Sequence, residues 1–593
     1  MSEYQAPLKD MQFVLNELAN LSQINALPVF EDATPDLVEA VLEQAGVLAS
    51  EVFSPLNQPG DEHGTFIEND VVVSPPGFAE AYRQFVDNGW QGIGKPGEFG
   101  GQGLPYLVHS AVSEMWNSSN LSLALCPLLT SGAIEAIHIH ATDELKQQYL
   151  AKMVSGEWSG TMNLTEPQAG TDLAAIRTRA ERDGDHYRIK GQKIFITWGA
   201  HEMTDNIVHL VLARLPDAPA GVKGISLFLV PKFLPDADGN PGERNDLKVV
   251  SLERKMGIHA SPTCVMSYGD NEGAIGYLIG EENNGLACMF TMMNNARLEV
   301  GIQGVSLSER AYQRALDFAR ERVQGNAYGH EGRVTIIHHP DVRRMLMQMK
   351  AIAEASRALA YVTIGESDLA HHVESETARA RHQARVDLFV PIVKAWCTEM
   401  AQEATYLGVQ VHGGMGFIEE TGAAQHMRDA RIVTIYEGTT GIQALDLMGR
   451  KIMRDKGQAI GDLIEELKVF QSELKQQGGE IDRIAGHFNR ALAALEDATE
   501  WYLANLSNDP NLAGAIGVNY QMLAGNVACG WLMARSAIAA QQQIDAGSDD
   551  IFYQNKIKTA VYFAEQILPR SEGLQTMIKT GAGSIMSIDV DNF

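Results

Sequence analysis

The chain has few cysteines and no pairing pattern among them. Cys126, Cys264, Cys288, Cys397 and Cys529 are scattered, odd in number and form no CxxC. A disulfide framework is therefore not expected, and a reducing, cytoplasmic compartment is. Positive charge is also scarce: 47 Lys and Arg stand against 75 Asp and Glu, a net charge of −28. Nucleic acid and anionic membranes reward clustered basic side chains, so neither is expected as a partner. The opening Met1-Ser2-Glu3-Tyr4-Gln5 lacks the basic and then apolar run of a secretory leader. The apolar run at 207–212 is broken by His209, and no integral membrane segment is expected. There is no internal repeat, P-loop or GxSxG. The pairs His138/His140, His338/His339 and His371/His372 lack the HExxH or cysteine partners of a metal site, so no metal is expected.

What is present is length and pattern. A chain of 593 residues is too long for one core, so several domains are expected. From Pro35 to about residue 56, Leu37, Val38, Val41, Leu42, Ala45, Leu48 and Val52 recur at helical steps, with Thr34 and Pro35 as cap and first-turn proline. Helical pattern continues to about residue 155. Residues 158–284 alternate short apolar runs with turn signals and read as a compact β domain, a barrel or sandwich. Long helical patterns return from 285, including one over 386–411, and a last helical stretch begins near 454. The expected fold class is α+β: an N-terminal segment at 1–35, a helical domain at 36–157, a middle β-barrel domain at 158–284, a helical bundle at 285–452 and an extra helical domain at 453–593.

Three segments bear on chemistry. Gly92-Ile93-Gly94-Lys95-Pro96-Gly97 matches GxGxxG, but a helical pattern precedes it and Pro96 interrupts it, so it does not read as a dinucleotide fingerprint. Residues 160–172 open the β domain with Thr161, Thr165 and Thr171 around a Pro turn. Such hydroxyls and backbone amides suit the polar rim of a heterocycle or a phosphate, and equally a self-capping boundary loop. In residues 431–443, Glu437 stands between an apolar-aromatic run and the small-residue turn Gly438-Thr439-Thr440-Gly441. Burial from one side raises a carboxylate's pKa toward that of a useful base, while the other side leaves room for a ligand. Local sequence alone also allows a strand end leading into a helix, with Glu437 a first-turn residue.

Taken together, these segments resemble the acyl-CoA dehydrogenase family. Thr165-Glu166-Pro167-Gln168-Ala169-Gly170-Thr171-Asp172 resembles its TEPxAGSD signature, and residues 193–199 its K-x-W-I-T-N-G strand. Lys255 to Cys264 resembles K-x-G-x-x-x-S-x-T, and Asn294 to Arg297 falls where the family has D-x-x-R. Gln410 to Gly416 resembles Q-x-x-G-G-x-G, and Ile435 to Thr439 the catalytic segment. The motifs run in family order over about residues 36–452. With the C-terminal extension, the chain resembles the longer subgroup that includes bacterial fatty-acyl-CoA and 3-methylmercaptopropionyl-CoA dehydrogenases.

The resemblance implies FAD held between the β domain and the C-terminal helices. It implies that Met162, Leu164 and Thr165 hold the flavin edge, that Phe195, Ile196 and Thr197 cover the ring, and that Arg322 pairs with pyrophosphate. Gln410, Gly413 and Gly414 would meet a neighbouring subunit's dinucleotide, and Thr439 and Gly441 complete the flavin site. Substrate contacts would come from Thr171, Asn294, Arg297 and Gly438. Phe195 stands where the family usually has Trp, Thr171 where it has Ser, Asn294 where it has Asp, and Pro340 where Gln is common. Glu437 would take a proton from the carbon next to the thioester carbonyl of an acyl-CoA, and the next carbon would give a hydride to the flavin. Some relatives place the base immediately before the D-x-x-R arginine; here that residue is Ala296, which leaves Glu437. The expected substrate is a medium- to long-chain fatty acyl-CoA, with 3-methylmercaptopropionyl-CoA as the alternative. Electrons would pass to electron-transfer flavoprotein, from a homodimer. An acyl-CoA oxidase and a catalytically dead acyl-CoA-binding scaffold are the competing readings.

Overall fold

The computed structural model describes residues 4–593; Met1, Ser2 and Glu3, part of the opening stretch read for a leader, lie outside the described residues. Two compact units divide the chain: Glu43–Glu299, and the residues up to Leu42 together with Val300–Phe593.

The unit Glu43–Glu299 combines helices with an eight-stranded sheet. Its strands are β1 (Trp158–Asn163), β2 (Arg179–Asp183), β3 (His186–Thr197), β4 (Asn206–Arg214), β5 (Ile225–Pro231), β6 (Leu247–Leu252), β7 (Thr263–Tyr268) and β8 (Ala274–Ile279). β3 pairs with β8, β8 with β5, β5 with β4, and β2 joins β4 back to β3 through the single pairing Arg179 to Arg214. That ring closes a five-stranded barrel. β7 and β6 continue outward from β3, and β1 lies parallel on β4. Closure removes edges within the ring, and the sheet ends on β6 and β1.

The helix Leu121–His140 packs on β1, where Gly160 lets it approach: a Cβ there would stand 2.6 Å from the Ala133 Cβ. Asn120 caps it, accepting from the Leu123 N–H at 3.1 Å. Among the described residues this helix is long and apolar enough to cross a membrane by length and composition. Sequence reading missed the length of this apolar stretch, and its burial is that of a core helix. The helix is apolar around most of its girth because it is mostly buried, with Ala133, Ile134 and Ile137 in one cluster with Trp158, Leu210 and Leu227.

In the other unit, long helices form the bundle: Pro340–His372, Glu376–His412 and the continuation of Gly285–Glu321. Gln458–Leu474, Asp482–Asn505, Leu512–Asp545, Ile551–Gln566 and Arg570–Lys579 make up the C-terminal extension. The extension packs directly on the bundle. A Cβ at Gly525 would fall 2.3 Å from Trp396 Cδ1, so only glycine permits the approach. The Trp396 indole N–H donates to Asn526 at 2.9 Å, and Gln521 donates to the Pro391 carbonyl at 2.6 Å, satisfying an acceptor near the in-helix proline. The early helix forms over Pro35–Leu48, with the Leu37 N–H donating to the Thr34 hydroxyl at 3.3 Å; it then passes into a wider π turn at Ala49–Phe53.

Candidate active site

Each unit carries part of the expected site. In the unit of the bundle, Glu437 lies in a turn rather than at a strand end. Arg431–Thr434 is a short 3-10 helix, and Thr440–Leu445 is the helix that follows. Glu437 has φ +54° and Gly438 φ +90°, two left-handed residues in succession. For glutamate that conformation costs of order 1–2 kcal/mol and persists only where the surroundings impose it. Four side chains do so. Gln443 donates to the Glu437 carbonyl at 3.1 Å, and the fully buried Lys394 ammonium donates to the Gly438 carbonyl at 2.8 Å. The Tyr436 hydroxyl donates to the buried Gln303, and the Thr439 hydroxyl accepts from the Ile442 N–H at 3.3 Å. Burial, and then the neighbouring Glu437 carboxylate, push the Tyr436 phenol well up, so it stays a neutral donor. The Glu437 side chain is half-buried and the Thr439 side chain exposed.

The same unit presents Arg322, Gln410, Gly413 and Gly414, all exposed. Gly413 ends the helix Glu376–His412 at φ +60°. A Cβ on Gly413 or Gly414 would meet nothing within 4 Å, whereas one on Gly416 would fall 2.3 Å from the Val409 carbonyl. The first two glycines therefore leave open space for a ligand, and the third is required by the fold. Gly441 is likewise uncrowded, its nearest neighbour the Thr439 hydroxyl at 3.8 Å.

In the barrel unit, Met162 is the penultimate residue of β1, Leu164 and Thr165 follow its end, and Phe195, Ile196 and Thr197 end β3. The two segments are tied together: Thr161 donates to the Thr197 carbonyl at 2.7 Å and the Ile194 N–H to the Thr165 carbonyl at 2.9 Å. Phe195 has φ +60° and is 57% exposed, turning an aromatic face outward, while Trp198, also left-handed, is buried with its indole N–H on the Ser122 carbonyl. Ile196 is 2% exposed within the sheet core, so only its backbone is available to a ligand. Met162, Leu164 and Thr165 are half-buried. Beneath them Glu166 ties the loop together. It accepts from Lys193 at 2.8 Å, the Thr178 hydroxyl at 2.6 Å, and the Arg177 and Thr178 N–H groups at 2.6 and 3.1 Å. Burial alone raises this carboxyl, but Lys193 and the hydrogen bonds outweigh it and hold it down at about 2. Thr171 and Asn294 are exposed and Arg297 is buried.

Sequence reading missed the supporting side chains Lys394, Gln303 and Gln443. Lys394 did carry a signal: a lone charge inside the apolar run Phe389-Val390-Pro391-Ile392-Val393-Lys394-Ala395-Trp396.

One unit thus holds a closed barrel with helices packed on it, and the other a helical bundle with a conformationally forced carboxylate on a small-residue turn. The comparisons make this specific. Residues 55–157, 161–270 and 283–453 match the N-terminal, middle and C-terminal domains of acyl-CoA dehydrogenase, and residues 460–589 match an acetyl-CoA dehydrogenase C-terminal-like domain. The chain is 49% identical, over 98% of its length and 99% of the relative's, to 3-methylmercaptopropionyl-CoA dehydrogenase of Ruegeria pomeroyi. It is 33% identical, over 100% and 99%, to a butyryl-CoA dehydrogenase of Syntrophomonas wolfei. The fold matches an acyl-CoA dehydrogenase of Bacillus anthracis complexed with FAD, with TM-score 0.74 at 22% identity over 98% of this chain and 92% of that one. The chain belongs to the acyl-CoA dehydrogenase family, flavoprotein oxidoreductases that bind FAD. The residues present fit that cofactor: an outward aromatic face at Phe195 and open space over Gly413 and Gly414.

Proposed function

We propose that the protein dehydrogenates a short acyl-CoA thioester between its α and β carbons, and that 3-methylmercaptopropionyl-CoA is its substrate. Glu437 takes the α proton. Its forced left-handed turn carries this reading: strain held by Gln443 and Lys394 fixes the carboxylate's direction before substrate arrives, which is how positioning lowers a barrier. FAD would supply the hydride acceptor for the β carbon. Met162, Leu164 and Thr165 would hold its edge, Phe195, Thr197 and the Ile196 backbone would cover its ring, Arg322 would pair with its pyrophosphate, and Thr439 and Gly441 would complete its site. Gln410, Gly413 and Gly414 serve the dinucleotide of a second copy in a homodimer, and the exposed Phe417 and Met415 beside them favour such a contact. A solution mass of twice 64.8 kDa checks the dimer. Asn294, Thr171, Arg297 and Gly438 receive the CoA thioester, electron-transfer flavoprotein takes the electrons, and the cytoplasm is the compartment.

The full-length identity to the Ruegeria enzyme favours the short thioether over the medium- to long-chain fatty acyl group expected from sequence. The test is anaerobic bleaching of the bound flavin by acyl-CoAs of two to sixteen carbons and by 3-methylmercaptopropionyl-CoA. The thioether ester bleaching fastest is expected; faster bleaching by twelve- to sixteen-carbon esters overturns the substrate, and peroxide formation in air at the rate of turnover overturns the acceptor.

A further inference from the structure

The barrel unit contains a cavity of about 20 Å³ that none of the site residues above explains. That is room for about one water-sized group. Ala296 lines it. Ala296 stands where some relatives of the family place the base, which brings this cavity into consideration as part of an acyl pocket.

The far wall is polar, which an alkyl tail does not need. Lys95, 6% exposed, gives one N–H of its ammonium to the Ser131 carbonyl at 3.1 Å. The Ser131 hydroxyl, itself 8% exposed, and His109 Nδ1 are shielded from solvent and have no hydrogen-bond partner among the described residues. A buried polar atom left unmade costs about 1–3 kcal/mol, so such atoms mark a place where something else supplies the bond. Glu299 cannot supply it in that form: its carboxylate already accepts from Tyr106 at 3.0 Å, Ser110 at 3.0 Å and Ser113 at 2.7 Å. Burial, then Lys95, hold His109 down at about 3, so it is a neutral ring. Burial pulls the Lys95 ammonium down, against the opposing effect of Glu135 and Glu299. The wall therefore offers hydrogen-bond donors beside a neutral imidazole.

We propose that Lys95, Ser131 and His109 select the tip of the acyl chain and take a neutral acceptor there, a thioether sulfur. This rests on the dehydrogenase reading above and names the residues that set its specificity. A thioether is a weak acceptor on a polarizable, apolar stem, which suits donors on one side and Met292 and the Tyr106 ring on the other. Gly132 keeps the space open, since a Cβ there would fall 2.9 Å from Met292.

The test compares flavin reduction by 3-methylmercaptopropionyl-CoA, its all-carbon isostere pentanoyl-CoA and the carboxylate-tipped glutaryl-CoA, in the FAD-loaded enzyme and in Ser131→Ala and Lys95→Met. The native enzyme should favour the thioether over pentanoyl by about tenfold in kcat/KM, the scale of one net hydrogen bond. The preference should fall toward unity in both variants. Ser131→Ala removes one atom and keeps the fold testable if Lys95→Met does not fold. Equal use of thioether and isostere by the native enzyme, or a preference unchanged in Ser131→Ala, overturns the assignment while leaving the dehydrogenase reading intact. A preference for glutaryl-CoA overturns the neutral acceptor. Bleaching by none of the three contradicts the dehydrogenase reading, and the pocket assignment falls with it.

Discussion

At the scale of the residue, a left-handed glutamate is costly enough to need an explanation, and Lys394 is part of it. Its ammonium is fully buried and reaches the carbonyl that follows the base. In Lys394→Met that carbonyl loses its 2.8 Å donor and keeps the longer 3.4 Å bond from Gln443, so the Glu437–Gly438 turn is freer to relax. The expected outcome is a kcat lowered about 10- to 100-fold with KM little changed, because a displacement of about 1 Å near the reacting atoms has that scale of effect. Steady-state kinetics with FAD content measured in parallel checks this; unchanged kcat would mean the turn holds itself. Glu437 stood out in sequence as a candidate base from the apolar run on one side and the small residues on the other, but only the resemblance favoured it over an ordinary first-turn residue. The restraints were not, because Lys394, Gln303 and Gln443 reach the turn from elsewhere in the chain or the next helix, and no local pattern encodes such contacts.

At the scale of the element, the loop after β1 depends on Glu166. Five hydrogen bonds converge on one buried carboxylate, one of them from Gln168 at 2.7 Å, and Lys193 is its counter-ion. Removing one member of a buried pair leaves the other uncompensated, at a cost of about 3–5 kcal/mol. Glu166→Ala should therefore lower the melting temperature and release FAD, read by calorimetry and flavin absorbance. The folded pKa of Glu166 lies below its ordinary value of 4.5. Its contribution is thus complete above about pH 4.5 and is lost as pH falls toward 2, so acid unfolding of the native enzyme in that window should be steeper than that of Glu166→Gln. The β3 strand and its motif were readable by alternation and by the resemblance. The turn at 431–437 was not: its apolar run looks extended, yet Arg431–Thr434 coils into a 3-10 helix, and Tyr436 just beyond it donates to Gln303.

At the scale of the whole molecule, the N-terminal helix Leu8–Glu17 is bound into the unit of the bundle by charge. Asp10 accepts from Arg357 at 2.6 Å and from Lys556, on the extension, at 2.6 Å. Lys556 also meets Glu354 at 2.8 Å, and Arg357 meets Glu309 at 2.9 Å. Burial acts to raise Asp10, but Lys556 and Arg357 outweigh it and hold it far below the usual carboxylate range. One residue thus joins the N-terminus, a bundle helix and the extension. Asp10→Ala should destabilise that unit by about 3–5 kcal/mol, seen as an earlier thermal transition, with flavin reduction by substrate retained below it. Helices of the extension were legible from their spacing, but this junction was not, since Asp10 and Lys556 are far apart in sequence and only the fold brings them together.

The central claim is that Glu437 removes the α proton of an acyl-CoA thioester. Anaerobic stopped-flow reduction of the FAD-loaded enzyme by 3-methylmercaptopropionyl-CoA, for the native protein and Glu437→Gln, tests it most directly. Full FAD content is expected in both, with rapid bleaching in the native enzyme and a rate at least about 10²-fold lower in the variant, the minimum that loss of a positioned base entails. Bleaching of Glu437→Gln at the native rate would contradict it.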